Sequence, residues 1–265
     1  MRLSEEAAAK VANELQPLRN RLETLQLALY TELAPTLKRD LAVEYLMHGV
    51  SRRIKTISRC MLNVFTVFPP NRTKLLGDGE LSDVQINLHA FVMNTYGIFD
   101  NIAWVYMLEQ GREESIKGGR NAIGLFDPRT QQYLSARMQA YLNSAELTAW
   151  FREYAKNYRD ALAHRIPLYV PPSYMLEADE PRWKELDAQI MPAIKAHRFD
   201  DVERITAERD GLGKVCAAFR HSYSDKKSRS VYLHPQMLCD ALTVADLGET
   251  VVADVKANGW GAATP

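Results

Sequence analysis

The sequence predicts an all-α protein: a bundle of long antiparallel helices over residues 1–172, with additional C-terminal helices over residues 173–265 packed on it or continuing it as one domain. Three observations carry this expectation. Apolar residues recur at spacings of three and four over long stretches, the repeat of a helix with one buried face. The stretch Phe91 to Leu108 is apolar nearly all the way round, as expected of the innermost helix of a bundle. Only Ile166 to Pro172 reads as extended, because each proline pushes the residue before it out of helical geometry.

Taken in order, Ser4 is placed to cap the first helix, with Glu5 and Glu6 at the positive end of its dipole. Val11, Leu15, Leu18, Leu22, Leu25 and Leu29 form its stripe; Pro17 can kink it and Pro35 follows its end. A second helix is expected from about Thr36 to Thr66, until Pro69-Pro70 stops it. After Gly77-Asp78-Gly79 a third runs from about Leu81 to Glu109, closed by Gly111. Lys117 to Pro128 reads as loop and Arg129 to Leu142 as a shorter helix. Ser144 caps a fifth, whose face holds Leu147, Trp150, Phe151, Tyr154, Tyr158 and Leu162. Beyond the proline segment, helices are expected from Pro181 to Ala196, from Asp200 to His221 and from His234 to Ala257. A basic loop, Tyr223 to Arg229, separates the last two, and the tail Gly261 to Pro265 is expected to fray.

Lysine plus arginine and aspartate plus glutamate each number 33, so no overall field attracts nucleic acid or an anionic membrane; a phosphate-bearing partner must find a local patch. Apolar residues at 46% and charged residues at 25% suit a chain that buries a core. Three scattered cysteines make no disulfide framework and fit a reducing compartment. The first residues begin an acidic, alanine-rich helix without the apolar core of a signal peptide, and Gly97 to Leu108 is too short to span a bilayer. A cytoplasmic protein with no membrane partner is expected. There is no dinucleotide fingerprint, phosphate loop or His-Glu-x-x-His, so neither cofactor nor metal is expected. Cys216 with His221, and His234 with Cys239, stand five residues apart, about 140° on a regular helix, which is wrong for joint ligation.

Two polar patterns interrupt the helices. Arg52, Lys55 and Arg59 share one face of the second helix, with Arg53 beside them; this is either a solvated face or a patch that contacts phosphate. Asn87, Asn94 and Asn101 recur every seven residues on the most buried helix, drifting about 20° per step. Buried asparagines must be hydrogen-bonded, so the stripe either bonds a neighbouring helix and sets its register or faces a polar cleft.

Reactive side chains concentrate at Asn157-Tyr158-Arg159-Asp160-Ala161-Leu162-Ala163-His164-Arg165. Asp160 and His164 are four apart and can meet on one face, and Arg159 is long enough to reach the same edge. Because Ile166 precedes a proline, the helix should end near His164, and both the carboxylate and the negative helix end favour a protonated imidazole. Such a group can handle protons at a phosphodiester while Arg159 stabilises charge on the phosphoryl oxygens. The same residues also suit a charged helix end with no chemistry at all.

An arginine, a polar residue and then a histidine after four intervening residues, near the end of a helix in an all-α bundle, resembles the signature of the HEPN superfamily, here Arg159, Asp160 and His164. The resemblance is carried by the motif and, over about Leu3 to Pro172, by architecture, so the bundle of residues 1–172 would be HEPN-like. It implies a homodimer with two motifs facing across a cleft and, in many members, metal-independent endoribonuclease activity. His164 would then assist attack of a ribose 2′-hydroxyl on its own phosphate, Arg159 would stabilise that phosphate and Asp160 would position both. Arg165, Asn94, Asn101, Arg52, Lys55 and Arg59 are the expected contacts to RNA. Other members are non-catalytic modules of toxin–antitoxin or nucleotide-binding type, which is the alternative. The greater length, the zero net charge and the segment after Pro172 depart from a minimal member.

Overall fold

The helical repeat of the N-terminal residues becomes α1 (Glu5–Ala28), where the Ser4 hydroxyl accepts the Ala7 N–H at 3.2 Å and Leu18, Leu22 and Leu25 are buried. The computed structural model describes residues 2–117, 119, 122–222 and 228–261; parts of the expected loops at 118, 120–121 and 223–227, and the tail beyond 261, lie outside them. α1 runs on through a π turn, Leu29–Leu33. The expected second helix forms as α2 (Asp40–Glu44), a π turn (Tyr45–Val50) and α3 (Ser51–Val67). α4 (Asp78–Glu109) comes next, its buried residues spread around most of its circumference.

α3 and α4 pack along their length, and the asparagine stripe lies between them. Arg53 Nε donates to Asn101 Oδ1 at 2.7 Å and its NH1 to Asn94 Oδ1 at 3.1 Å; Asn63 Nδ2 donates to Asn87 Oδ1 at 2.9 Å. The stripe therefore bonds one helix to the next. Gly97 makes room for this, since a Cβ there would stand 2.5 Å from the Arg53 guanidinium carbon. Gly97→Val is expected to evict Arg53 from both asparagines and to lower stability by about 1–3 kcal/mol. The check is a urea midpoint, and an unchanged one would mean that the guanidinium finds another seat without loss.

The single helix expected over Arg129 to Leu142 is two: α5 (Pro128–Gln131) and α6 (Ala136–Leu142). Ser135 starts the second by accepting the Met138 N–H at 3.0 Å, a local competition that apolar spacing does not register. α7 (Ala145–Trp150), a π turn (Phe151–Ala155) and α8 (Lys156–His164) make up the fifth expected helix. α9 (Glu180–Lys195) and α10 (Phe199–Gly211) pack mainly on each other.

The helix expected to reach His221 stops at Gly211. Beyond it the chain turns extended: Lys214 pairs with Tyr174 and Arg220 with Tyr169, and Ala218–Phe219 (β1) pairs antiparallel with Val231–Tyr232 (β2). Gly211 and Gly213 weaken the helix, and the rigid proline segment has backbone groups that need partners. α11 (Leu233–Asn258) then returns into the bundle against α1, α3, α4 and α6, with Leu25 seated over Gly248. One hydrophobic core extends from Leu18 to Trp260. Apart from the β1–β2 pair, the regular structure of the described residues is helical, and no helix among them is long and apolar enough to cross a membrane.

Candidate functional site

The helix that carries Arg159 and His164 is aimed by the π turn before it. There the Lys156 N–H reaches back five residues to the Phe151 carbonyl, and an extra residue in a turn rotates the succeeding residues by about 100°. α8 then buries Tyr158 and Ala161, with Tyr158 edge-on to Phe219 at 5.2 Å. Its end is held from below: His89 Nε2 on α4 donates to the Leu168 carbonyl at 2.5 Å.

Arg159 lies over the Tyr96 ring, guanidinium carbon to centroid 4.1 Å, and its NH1 meets Asp160 Oδ1 at 3.0 Å. Its Nε is buried without a hydrogen-bond partner. The other oxygen of Asp160 accepts from Lys156 Nζ at 2.6 Å. Asp160 thus spends its carboxylate on Lys156 and Arg159, whereas His164 is exposed and makes no hydrogen bond or ion pair among the described residues. Four-residue spacing lets Asp160 and His164 meet, but it equally lets Asp160 meet Lys156, and an ammonium is the stronger competitor. Arg165 folds back onto its own helix, donating to the Asn157 carbonyl at 3.3 Å and to its side-chain oxygen at 3.1 Å.

The motif and the asparagine stripe come together at a residue that pattern reading passes over. Asp100, half-buried on α4, has Arg159 and Arg53 as charged neighbours. Burial pushes its carboxyl up to about 6, even though the two guanidinium groups pull it down. Through Arg53 it adjoins Asn94 and Asn101; through Arg159 it adjoins the motif. Arg52, Lys55 and Arg59 are exposed on α3 and border neither the motif nor Asp100; Arg59 instead borders a cleft with Asn63 and Asn87, and Arg53 is the member of that run that bonds Asn94 and Asn101 on α4. A signal for Asp100 was present, since it is the sole carboxylate between Phe91 and Leu108. The i, i+4 spacing of Lys156 and Asp160 was a signal for Lys156 as well.

Two clefts flank α8. One, about 480 Å³, is bordered by Tyr96, Asp100 and Trp104 of α4, by residues 122–128 and by Phe151, Lys156 and Arg159. Its walls are aromatic: Phe126 stacks on Phe151 at 3.7 Å and 14°, and Trp104 packs against Tyr45 at 5.5 Å. The other, about 510 Å³, collects Arg152, Lys156, Asn157, Asp160, Arg165 and Arg229. His164 borders neither.

The cysteine and histidine pairs do not gather. His234 is a core residue that donates to the Phe68 carbonyl and sits edge-on to Phe65 and Phe68, and burial lowers its pKa to about 4. Cys216 is buried, Cys239 is exposed, and no group of three metal-ligating side chains occurs among the described residues. What the arrangement offers chemically is fixed cationic groups beside aromatic surface, one desolvated carboxyl and one exposed imidazole. Scanned against protein-family models, curated proteins and solved structures, the chain matches none of them.

Proposed function

We propose that the protein is a HEPN-like, metal-independent endoribonuclease that works as a cytoplasmic homodimer, with Arg159 and His164 as its catalytic pair. The observation that carries this reading is the state of Arg159. Its guanidinium is seated on Tyr96 and fixed by Asp160, with Nε buried and unspent beside a cleft that Lys156 also borders. A guanidinium so held loses little freedom on taking a phosphate. His164 is exposed at the negative end of α8, open to a strand laid across two copies of the chain.

In this reading His164 takes the proton of a ribose 2′-hydroxyl and the oxygen attacks the adjacent phosphorus. The bond to the 5′-oxygen breaks and that oxygen takes a proton from water, leaving a 2′,3′-cyclic phosphate and a 5′-hydroxyl, while His164 returns its proton to solvent and Arg159 stabilises the charge that develops on the phosphoryl oxygens. Asp160 serves by holding Arg159. Arg152, Arg165 and Arg229 around the second cleft, with Arg52, Lys55 and Arg59 on α3, supply positive charge for the RNA backbone.

Purified protein is expected to cleave single-stranded RNA in EDTA, with His164→Ala and Arg159→Ala each slowing cleavage by about 100-fold or more. An inactive wild type, or variants as active as wild type, would end the catalytic reading. One observation favours a non-catalytic binding module instead: Asp160 is committed to Lys156 and Arg159 and gives His164 no orienting partner. RNA or nucleotide binding without cleavage would decide for it.

A further inference from the structure

The aromatic cleft between α4 and α8 has an unusual floor. Asp100 projects there from an otherwise apolar stretch, and no hydrogen bond reaches its carboxylate among the described residues; burial and the charges of Arg159 and Arg53 alone act on it. Of its basic neighbours, Arg53 bonds Asn94 and Asn101, and Arg159 pairs with Asp160 over the Tyr96 ring; neither donates to Asp100. The other carboxylate of the rim, Asp127, is taken by Arg129, whose NH2 and Nε lie 2.6 and 2.8 Å from it. Asp100 thus lines a cavity of about 480 Å³, a size usual for small-molecule sites, with a carboxylate that no hydrogen bond occupies among the described residues. A desolvated carboxylate without donors is costly unless a ligand supplies them.

What would supply them is constrained by the walls. Trp104 stands one helical turn beyond Asp100 on the same face of α4, and Phe126, backed by Phe151, borders the cleft from residues 122–128. A flat ring suits such walls, because stacking on aromatic side chains needs only a π face. Two adjacent N–H donors suit the carboxylate. Among nucleobases guanine offers that pair, N1–H beside its exocyclic amine, whereas adenine and cytosine alternate donor with acceptor and uracil sets one N–H between two carbonyls. At the α8 wall Lys156 and Arg159, each in one ion pair with Asp160, keep further N–H groups for an anion.

We infer that this cleft is a guanine-recognition pocket, in which the Asp100 carboxylate accepts from the base N1–H and amine, Trp104 and Phe126 flank the ring, and Lys156 and Arg159 hold its phosphate. The inference deepens the RNA reading by naming the base that the site takes, and it also stands if no RNA is cleaved. The guanine belongs either to a free nucleotide or to a strand, and both sources present the same edge.

The full-length chain, titrated calorimetrically with 5′-GMP, 5′-IMP and 5′-AMP, is expected to bind GMP at least 10-fold more tightly than IMP, which lacks the amine, and AMP more weakly still. Asp100→Asn, which replaces one acceptor by a donor, is expected to weaken GMP at least 10-fold while remaining folded, as its thermal unfolding reports. Trp104→Leu should weaken all three bases alike. A parallel titration with oligonucleotides that differ in one G or A identifies the source: a G preference that appears only there, and is lost in Asp100→Asn, assigns the pocket to a strand. Equal affinity for GMP and AMP together with no G preference in the oligonucleotides, or binding unmoved by Asp100→Asn, overturns the inference. Loss of cleavage in His164→Ala with GMP binding intact separates this pocket from the catalytic reading.

Discussion

Asp254→Ala is expected to cost about 2–5 kcal/mol of folding stability, since each buried donor left without an acceptor costs about 1–3 kcal/mol. Asp254 is fully buried on α11 and joins three parts of the chain. Ser135 donates to its Oδ1 at 2.6 Å, Asn258 to the same atom at 2.9 Å, and the Tyr106 hydroxyl to its Oδ2 at 3.2 Å. Ser135 also caps α6, and Tyr106 is buried within α4, so the truncation strands a hydroxyl on each. Chemical denaturation at neutral pH measures the loss. Tyr106→Phe, which removes one donor and little volume, should cost about 1 kcal/mol, and equal effects of the two variants would show that the network does not act as described.

Asp240→Asn is expected to do the reverse and stabilise the protein above neutral pH. Asp240 lies on the same helix and is also buried, but its two hydrogen bonds, from Trp150 Nε1 at 2.8 Å and Gln236 Nε2 at 2.7 Å, both fall on Oδ1. Burial pushes its carboxyl up to about 7, and the two donors pull it down only in part. The folded state therefore holds a proton that the unfolded chain releases near the ordinary aspartate value of 3.8. Stability from this group is present below that value and is lost as pH rises through about 7, a difference on the order of 4 kcal/mol. Asparagine keeps one oxygen for both donors and carries no charge. Its advantage over the wild type should grow from pH 5 to pH 8, reaching about 1–3 kcal/mol once its new amide is left with fewer partners. Asp100, pushed up to about 6, adds to the wild-type decline in the same direction. Denaturant midpoints of both proteins at the two pH values provide the check, and a pH-independent gap would count against a buried ionised Asp240.

Most of the helices were legible because burial of one face writes a three-to-four repeat into the chain: α1 and α4 lie within a few residues of where that repeat places them, and α3 ends there, although α2 and a π turn make up the first part of the expected second helix. Two expectations were displaced by backbone hydrogen bonding that apolar spacing does not record. Ser135 divides one helix, and the proline segment draws residues 214–220 out of another to satisfy its own N–H and carbonyl groups. At the site, the same limit applies to side chains. A spacing of four permits Asp160 to meet Lys156 on one side and His164 on the other, and only the packed molecule selects Lys156.

The sequence by itself determined the all-α class, the innermost helix and the place where the helix carrying His164 ends, since each comes from local periodicity, a proline or a cap. Tertiary structure alone decided which polar groups are neighbours. It set Arg53 between Asn94 and Asn101, brought Asp100 beside Arg159 from a helix some sixty residues away in the chain, and buried Asp240 and Asp254 with different numbers of donors. Those pairings depend on the angle and register at which helices cross, and a repeat along one helix carries no record of what stands opposite it.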